Sequence, residues 1–399
     1  MLSQTKVVNS LCQMILILSL FDRSAFCAQS SKDWSGVQKK ATYICLASGT
    51  VVSSVFIHLW AIESLLDYYQ INDPYVQTGL ETIAVASNIY VIGSTKLCSL
   101  WDRLSVSENE ILDDASEQTS LCRDLERQSI DLKCEEKTSE GCSGRLPMLY
   151  GVGCMARVLP VKEVLSASTL LKKIHCTGNV PEVILTTALW ASEVATFCSF
   201  NVYKSNQSYS WLFDKDFKEK VAMEDRPHSR ALAVGLTSIS VLASVVSHLY
   251  SSEKGALKIF DFYHTGNEQI AMGVAIFITT GLLMIDIPLK LRALYVYFAT
   301  KESRVSHHEI GRTWTYIHKA LGCGGYMGVT FAVHYRPALD LAEKVGFPKG
   351  HLSNVLPALL LAGINTLIVK EVQVRHIENH VLHRYQRWTR SFNQNAYSP

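Results

Sequence analysis

Three stretches of this chain run without Asp, Glu, Lys or Arg for long enough to cross a lipid bilayer. Ala41–Ile62 and Ala231–Ser252 each span 22 residues, and Gly350–Val369 spans 20. A helix rises 1.5 Å per residue, so about 20 apolar residues match a hydrocarbon core of about 30 Å. These runs are apolar all round, which suits lipid or the heart of a large α-protein. They predict an all-α, polytopic transmembrane helical bundle.

Whole-chain composition says less than the runs do. Hydrophobic residues make up 48%, charged residues 19%, and the mean hydropathy is only +0.12. The average conceals segregation, because charge gathers between the apolar runs: residues 101–147 are acidic and Ser-rich, and 203–230 carry mixed charge. The net charge of +2 and the lack of a dense basic patch give no footprint for nucleic acid.

Adding weaker runs gives about seven spans, with six to eight compatible, near 41–65, 80–100, 181–203, 230–251, 269–288, 316–335 and 351–370. Upstream, Lys6 precedes the apolar stretch Val7–Phe21, and small residues follow at Ala25, Cys27 and Ala28. That order predicts a signal peptide, or an uncleaved signal anchor, over residues 1–28. The chain then divides into a first membrane hairpin (29–100), a polar Cys-containing extracytoplasmic loop (101–180), a membrane bundle (181–370) and a basic amphipathic tail (371–399).

Loop charge sets the expected orientation. Lys290, Arg292, Lys301, Arg304 and Arg312 crowd one loop, and Lys370, Arg375, Arg384, Arg387 and Arg390 crowd the tail. Basic loops stay in the cytoplasm, so an integral membrane protein with a cytoplasmic C-terminus is expected. Seven spans then put 101–180 outside. One conflict remains in that order: Lys39-Lys40 falls outside, while the turn around Asp67 and Asp73 falls inside without a basic residue.

Cys122, Cys134, Cys142 and Cys154 lie in the expected outer loop, where an oxidising compartment would make them disulfide candidates. Four cysteines allow three pairings, and spacing does not choose among them. On the span near 316–335, Ala320, Gly324 and Gly328 recur every fourth residue, the spacing of a helix-packing face in lipid.

Polar residues inside apolar runs are the candidates for function, because each costs several kcal/mol in lipid unless it is paired or hydrated. They are Glu193, Asp286, His58, His248 and Asn365, with Pro288 expected to break or end its helix two residues past Asp286. In the tail, His376, His380 and His383 fall at i, i+4 and i+7, a spacing that can begin a metal site. The same helix carries an apolar stripe through Val374, Ile377, Val381, Tyr385 and Trp388, which predicts an interfacial helix on the bilayer.

Phosphate-loop, dinucleotide-binding, kinase and nucleophile-elbow patterns are absent from the sequence. The residues therefore favour a non-enzymatic membrane component that binds a protein partner through its 101–180 loop and basic tail. The alternative is a transporter or channel using Glu193 and Asp286. A metal-dependent membrane enzyme at His376, His380 and His383 is a second alternative. No other cofactor is expected, and the bilayer is itself a partner.

Overall fold

A computed structural model describes residues 36–95, 151–153, 156–202, 227–263, 267–299 and 312–374, with isolated positions at 204–206, 208–209, 377 and 382. Among these, every regular element is helical: α1 Gly36–Tyr68, α2 Pro74–Asn88, α3 Val161–Lys173, α4 Asn179–Thr196, α5 Pro227–Phe262, α6 Glu268–Ala299, α7 Arg312–Ile317, α8 Met327–Lys344 and α9 Leu352–Val369. Ile44–Tyr68, Ala231–Phe262, Glu268–Leu294 and Leu352–Val369 are long and apolar enough to cross a membrane.

The other expected spans are shorter α-helices that carry charge: Glu81 on α2, Glu182 and Glu193 on α4, Arg336 and Asp340 on α8. Each adjoins a π-helical segment, at Ile89–Gly93, Phe197–Val202 and His318–Tyr326. A fourth such segment, Lys370–Val374, follows α9. Widened turns of this kind cost hydrogen-bond quality and recur at functional sites.

Contacts fix the direction of each helix. At one end, the end of α1 meets the end of α8, where the Tyr68 hydroxyl donates to Glu343 at 2.7 Å. Lys344 pairs there with Glu253 of α5 at 2.6 Å, and Lys258 of α5 pairs with Glu182 at the start of α4 at 3.0 Å. At the opposite end, early α1 meets late α4 through Thr50 and Thr196 at 3.0 Å. Ala233 of α5, Leu294 of α6 and Ile368 of α9 cluster there, and Tyr90 bonds His318 at 3.0 Å. The first end holds the short connections around 69–73, 174–178, 263–267 and 345–351 and is called the turn end. The second, where α1 starts and α9 finishes, is the terminal end.

Eight helical passes therefore alternate in direction, one more than the seven-span order. The added pass comes from residues 151–173, within the segment expected to be a polar loop. Gly153 sits against Phe197 and Val202 at the terminal end. Lys172 and Lys173 pair with Glu63 near the turn end, at 3.3 and 2.8 Å. The pass is broken at residues 157–160, because Pro160 has no N–H and biases Leu159 away from the helical region. Helix resumes as α3, and Val164 N–H donates to the Pro160 carbonyl at 2.9 Å. With this pass included, α1 and α4 run antiparallel, whereas the seven-span order makes them parallel.

Pro288 neither breaks nor ends its helix, since α6 runs on to Ala299. Its missing donor would leave the Met284 carbonyl bare, and the Tyr209 hydroxyl donates to that carbonyl instead at 3.2 Å. Pro337 in α8 is handled in the same way, with Ser247 Oγ donating to the Val333 carbonyl at 3.3 Å. Substitute donors of this sort are what let proline persist in membrane helices.

Close helix approach falls on glycines. A Cβ at Gly255 would stand 1.7 Å from the Val161 carbonyl oxygen, and one at Gly325 would stand 1.9 Å from Ser87 Oγ. Ala320, Gly324 and Gly328, the expected packing stripe, are exposed within the single chain. A Cβ at Gly328 would meet nothing within 4 Å, and one at Gly324 only the Lys319 carbonyl, at 3.5 Å. The tight contacts of this helix lie on its other face, at Gly322 and Gly325.

Candidate functional site

The break at residues 157–160 puts charge deep in the bundle. Arg157, at its edge, gives up its carbonyl to Trp190 Nε1 at 2.6 Å. Its guanidinium lies between two carboxylates, 3.1 Å from Glu163 Oε1 and 3.6 Å from Glu193 Oε2, and 4.9 Å from the centre of the Phe197 ring. Glu163 is 1% exposed and the Arg157 side chain 14%. Charges held this far from water persist only when paired.

One residue after the break's helix resumes, Lys162 donates to Nδ1 of His248 on α5. An ammonium can only donate, so Nδ1 accepts and the imidazole carries its hydrogen on Nε2. That hydrogen points to Asp286 Oδ2 on α6, 3.4 Å away. Lysine, imidazole and carboxylate thus form a relay with a fixed direction. His248 and Asp286 keep 24% and 26% of their side-chain surface accessible within the single chain.

A second chain starts four residues past Asp286. Lys290 donates to Ser244 Oγ and, at 3.3 Å, to the Ser240 carbonyl. Ser240 Oγ donates to Asn365 Oδ1 at 3.0 Å, and Asn365 Nδ2 donates to His334 Nε2 at 3.0 Å. His334 Nδ1 then donates to the Thr330 carbonyl at 2.7 Å. Every donor points away from the lysine, which fixes a neutral His334 with its hydrogen on Nδ1. Beside it, His58 Nδ1 bonds the Asn88 Oδ1, and Asn88 Nδ2 donates to the Ala84 carbonyl at 2.7 Å. His58 is within electrostatic range of both Lys162 and His334.

The result is a belt of polar side chains across the interior, supplied by all eight passes. It contains all five intramembrane polar candidates. Glu193 meets Arg157. Asp286 and Lys290 face the bundle interior, although their place near Pro288 would have suited a headgroup-facing helix end. Among the described residues, neither Lys162 nor Lys290 has a carboxylate oxygen within 4.0 Å, so two cations flank Asp286 without neutralising it.

Sequence reasoning missed Arg157, Lys162 and Glu163. Their signal was present, in three charges clustered around Pro160 between short apolar stretches. Interrupted hydrophobic segments of that kind mark discontinuous membrane helices. The disulfide candidates Cys122, Cys134, Cys142 and Cys154 and the metal candidates His376, His380 and His383 lie outside the described residues. Among the described residues, no group of three or more His, Cys, Asp or Glu side chains is placed to hold a metal. Comparison with protein-family models, curated proteins and solved structures gives no match.

Proposed function

We propose that this chain is a secondary transporter whose binding site is the interior polar belt. One observation carries the reading: a helix broken at mid-bundle sets Arg157, Lys162 and Glu163 against Glu193, His248 and Asp286. Broken helices whose freed polar groups line a central site are the common architecture of secondary transporters. Buried ionisable groups inside a membrane bundle mark proton or substrate pathways.

In this reading, Lys162, His248 and Asp286 move a proton. His248 Nε2 gives its hydrogen to Asp286 while Nδ1 takes one from Lys162. The ammonium–carboxylate pair becomes a neutral amine and a neutral acid, and the imidazole stays neutral throughout. Charge inside the bundle is conserved, so the step avoids the cost of isolating an ion in lipid. The Arg157 pair of carboxylates holds the broken helix in place against α4.

The same reading puts the terminal end in the cytoplasm, because the basic 290–312 and 370–399 segments both join helices there. Lys39-Lys40 then falls on the basic side and the Asp67–Asp73 turn on the opposite side, which removes the charge conflict of the seven-span order but opposes a cleaved signal peptide over 1–28, which would export Lys39-Lys40. The partner-binding component that the sequence favours would lose residues 161–173, which lie largely buried in the bundle, and keep the rest of 101–180 and the tail.

Reconstitution into liposomes on a solid-supported membrane tests the transporter reading. A panel of small organic and inorganic ions would be applied with and without a pH step. A substrate- or proton-driven current is expected, reduced at least about tenfold in Asp286→Asn and in Glu193→Gln. Currents no larger than those of empty liposomes across the panel, or variants that match the parent, would contradict it.

A further inference from the structure

Away from the belt, the turn end holds a second concentration of charge. Arg336 of α8 is 14% exposed, and its Nε and Nη1 are buried with no hydrogen-bond partner among the described residues. The carboxylate nearest to it, Asp340, is 3.9 Å from Nη2, beyond hydrogen-bond reach, and Asp340 is also shared with Lys344 at 3.4 Å. The guanidinium carbon lies 4.7 Å from the Tyr68 ring centre and 5.5 Å from that of Tyr250. These rings attract the cation but accept none of its fork of hydrogens.

More positive charge converges on the same rings. Lys349 Nζ is 4.5 Å from the centre of the Tyr68 ring, and Lys254 Nζ is 5.6 Å from that of Tyr250. The neighbouring carboxylates are engaged: Glu343 accepts from the Tyr68 hydroxyl, and Glu253 accepts from Lys344. Two cations that share one aromatic ring repel each other. The arrangement becomes favourable when an anion sits within reach of both. Lys349 belongs to the exposed 345–351 turn, so its ammonium is open to an anion from the bundle end.

We propose that Arg336 and Lys349 bind an oxyanion of the phosphate class at the turn end, supplied either free in solution or as the headgroup of an anionic lipid. A planar guanidinium with unused donors matches two oxygens of such a group at once, and the flexible ammonium closes over a third. The Tyr68 and Tyr250 rings beside the guanidinium hold the fork in orientation. This inference stands apart from the transport reading, because no residue of the belt takes part.

The test uses the full chain, purified in a neutral detergent and stripped of lipid, with thermal unfolding as readout. In one arm, inorganic phosphate is titrated against chloride at matched ionic strength. In the other, phosphatidylglycerol is titrated against phosphatidylcholine in mixed micelles. Saturable stabilisation by phosphate identifies a free-anion site, and stabilisation by phosphatidylglycerol alone identifies a headgroup site. Either response should vanish in Arg336→Gln and weaken at least about tenfold in Arg336→Lys, which keeps the charge but loses the fork. Lys349→Gln, on the exposed turn, provides the readout should the Arg336 variants fail to fold, and it too should weaken the response. No stabilisation in either arm, or a response unchanged in Lys349→Gln, would overturn the proposal.

Discussion

At the scale of single residues, Arg157 is the side chain on which the interior depends most. Among the described residues, it alone joins α4 to the start of α3 through charge, lying between Glu163 and Glu193. Removing one partner of a buried ion group leaves the others unpaired, which typically costs about 3–5 kcal/mol. Replacing the whole group with neutral side chains is often nearly neutral by comparison. Arg157→Met should therefore lower the unfolding temperature sharply in detergent. The triple variant Arg157→Met, Glu163→Gln, Glu193→Gln should recover most of the loss. A single variant within about 1 kcal/mol of the parent would show that the three groups are not coupled.

Between elements, the turn end is held by ion pairs that span several helices. Lys173 of α3 reaches Glu63 of α1 at 2.8 Å and Glu81 of α2 at 2.6 Å. Partial burial pulls its pKa down, but bonds to the two carboxylates outweigh that and hold it above the ordinary 10.5. A folded pKa raised above the unfolded one stabilises the protein fully below the unfolded value. The contribution is then lost as pH rises through the folded value. Lys173→Met should accordingly destabilise the protein at neutral pH, and the gap between the two melting curves should shrink as pH rises past the ordinary lysine range. A gap that persists at high pH would mean the side chain acts through packing alone.

Element by element, the sequence was most legible where runs were uninterrupted. The spans expected at 41–65, 230–251, 269–288 and 351–370 correspond to Ile44–Tyr68, Ala231–Phe262, Glu268–Leu294 and Leu352–Val369. The polar positions within them stood out because each interrupts an apolar run. Their connection did not, since Arg157, Lys162 and Glu163 come from a pass that Pro160 divides into two pieces, neither long enough to register as a span. Pro288 misled for the converse reason. Its cost depends on whether a donor elsewhere reaches Met284, and Tyr209 is 75 residues away in sequence. The packing glycines show the same limit: Gly324 and Gly325 are adjacent and equally small, and the positions of Ser87 and Ile83 on α2 distinguish them.

For the molecule as a whole, the central claim is that residues 151–173 pass through the bundle and carry the charged break to its interior. That pass makes the number of helical passes even and sets Gly151 and Thr177 at opposite ends, though both belong to the segment that seven spans would place outside. Both positions are exposed, and a Cβ at Gly151 meets nothing within 4 Å. The direct measurement is single-cysteine labelling from each side of sealed vesicles, using Gly151→Cys, Thr177→Cys and Asn72→Cys in a background without native cysteines. Asn72→Cys and Thr177→Cys should react from one face, and Gly151→Cys from the other. Reaction of Gly151→Cys and Thr177→Cys from the same face, with Asn72→Cys opposite them, would restore the seven-span order and dissolve the interior belt.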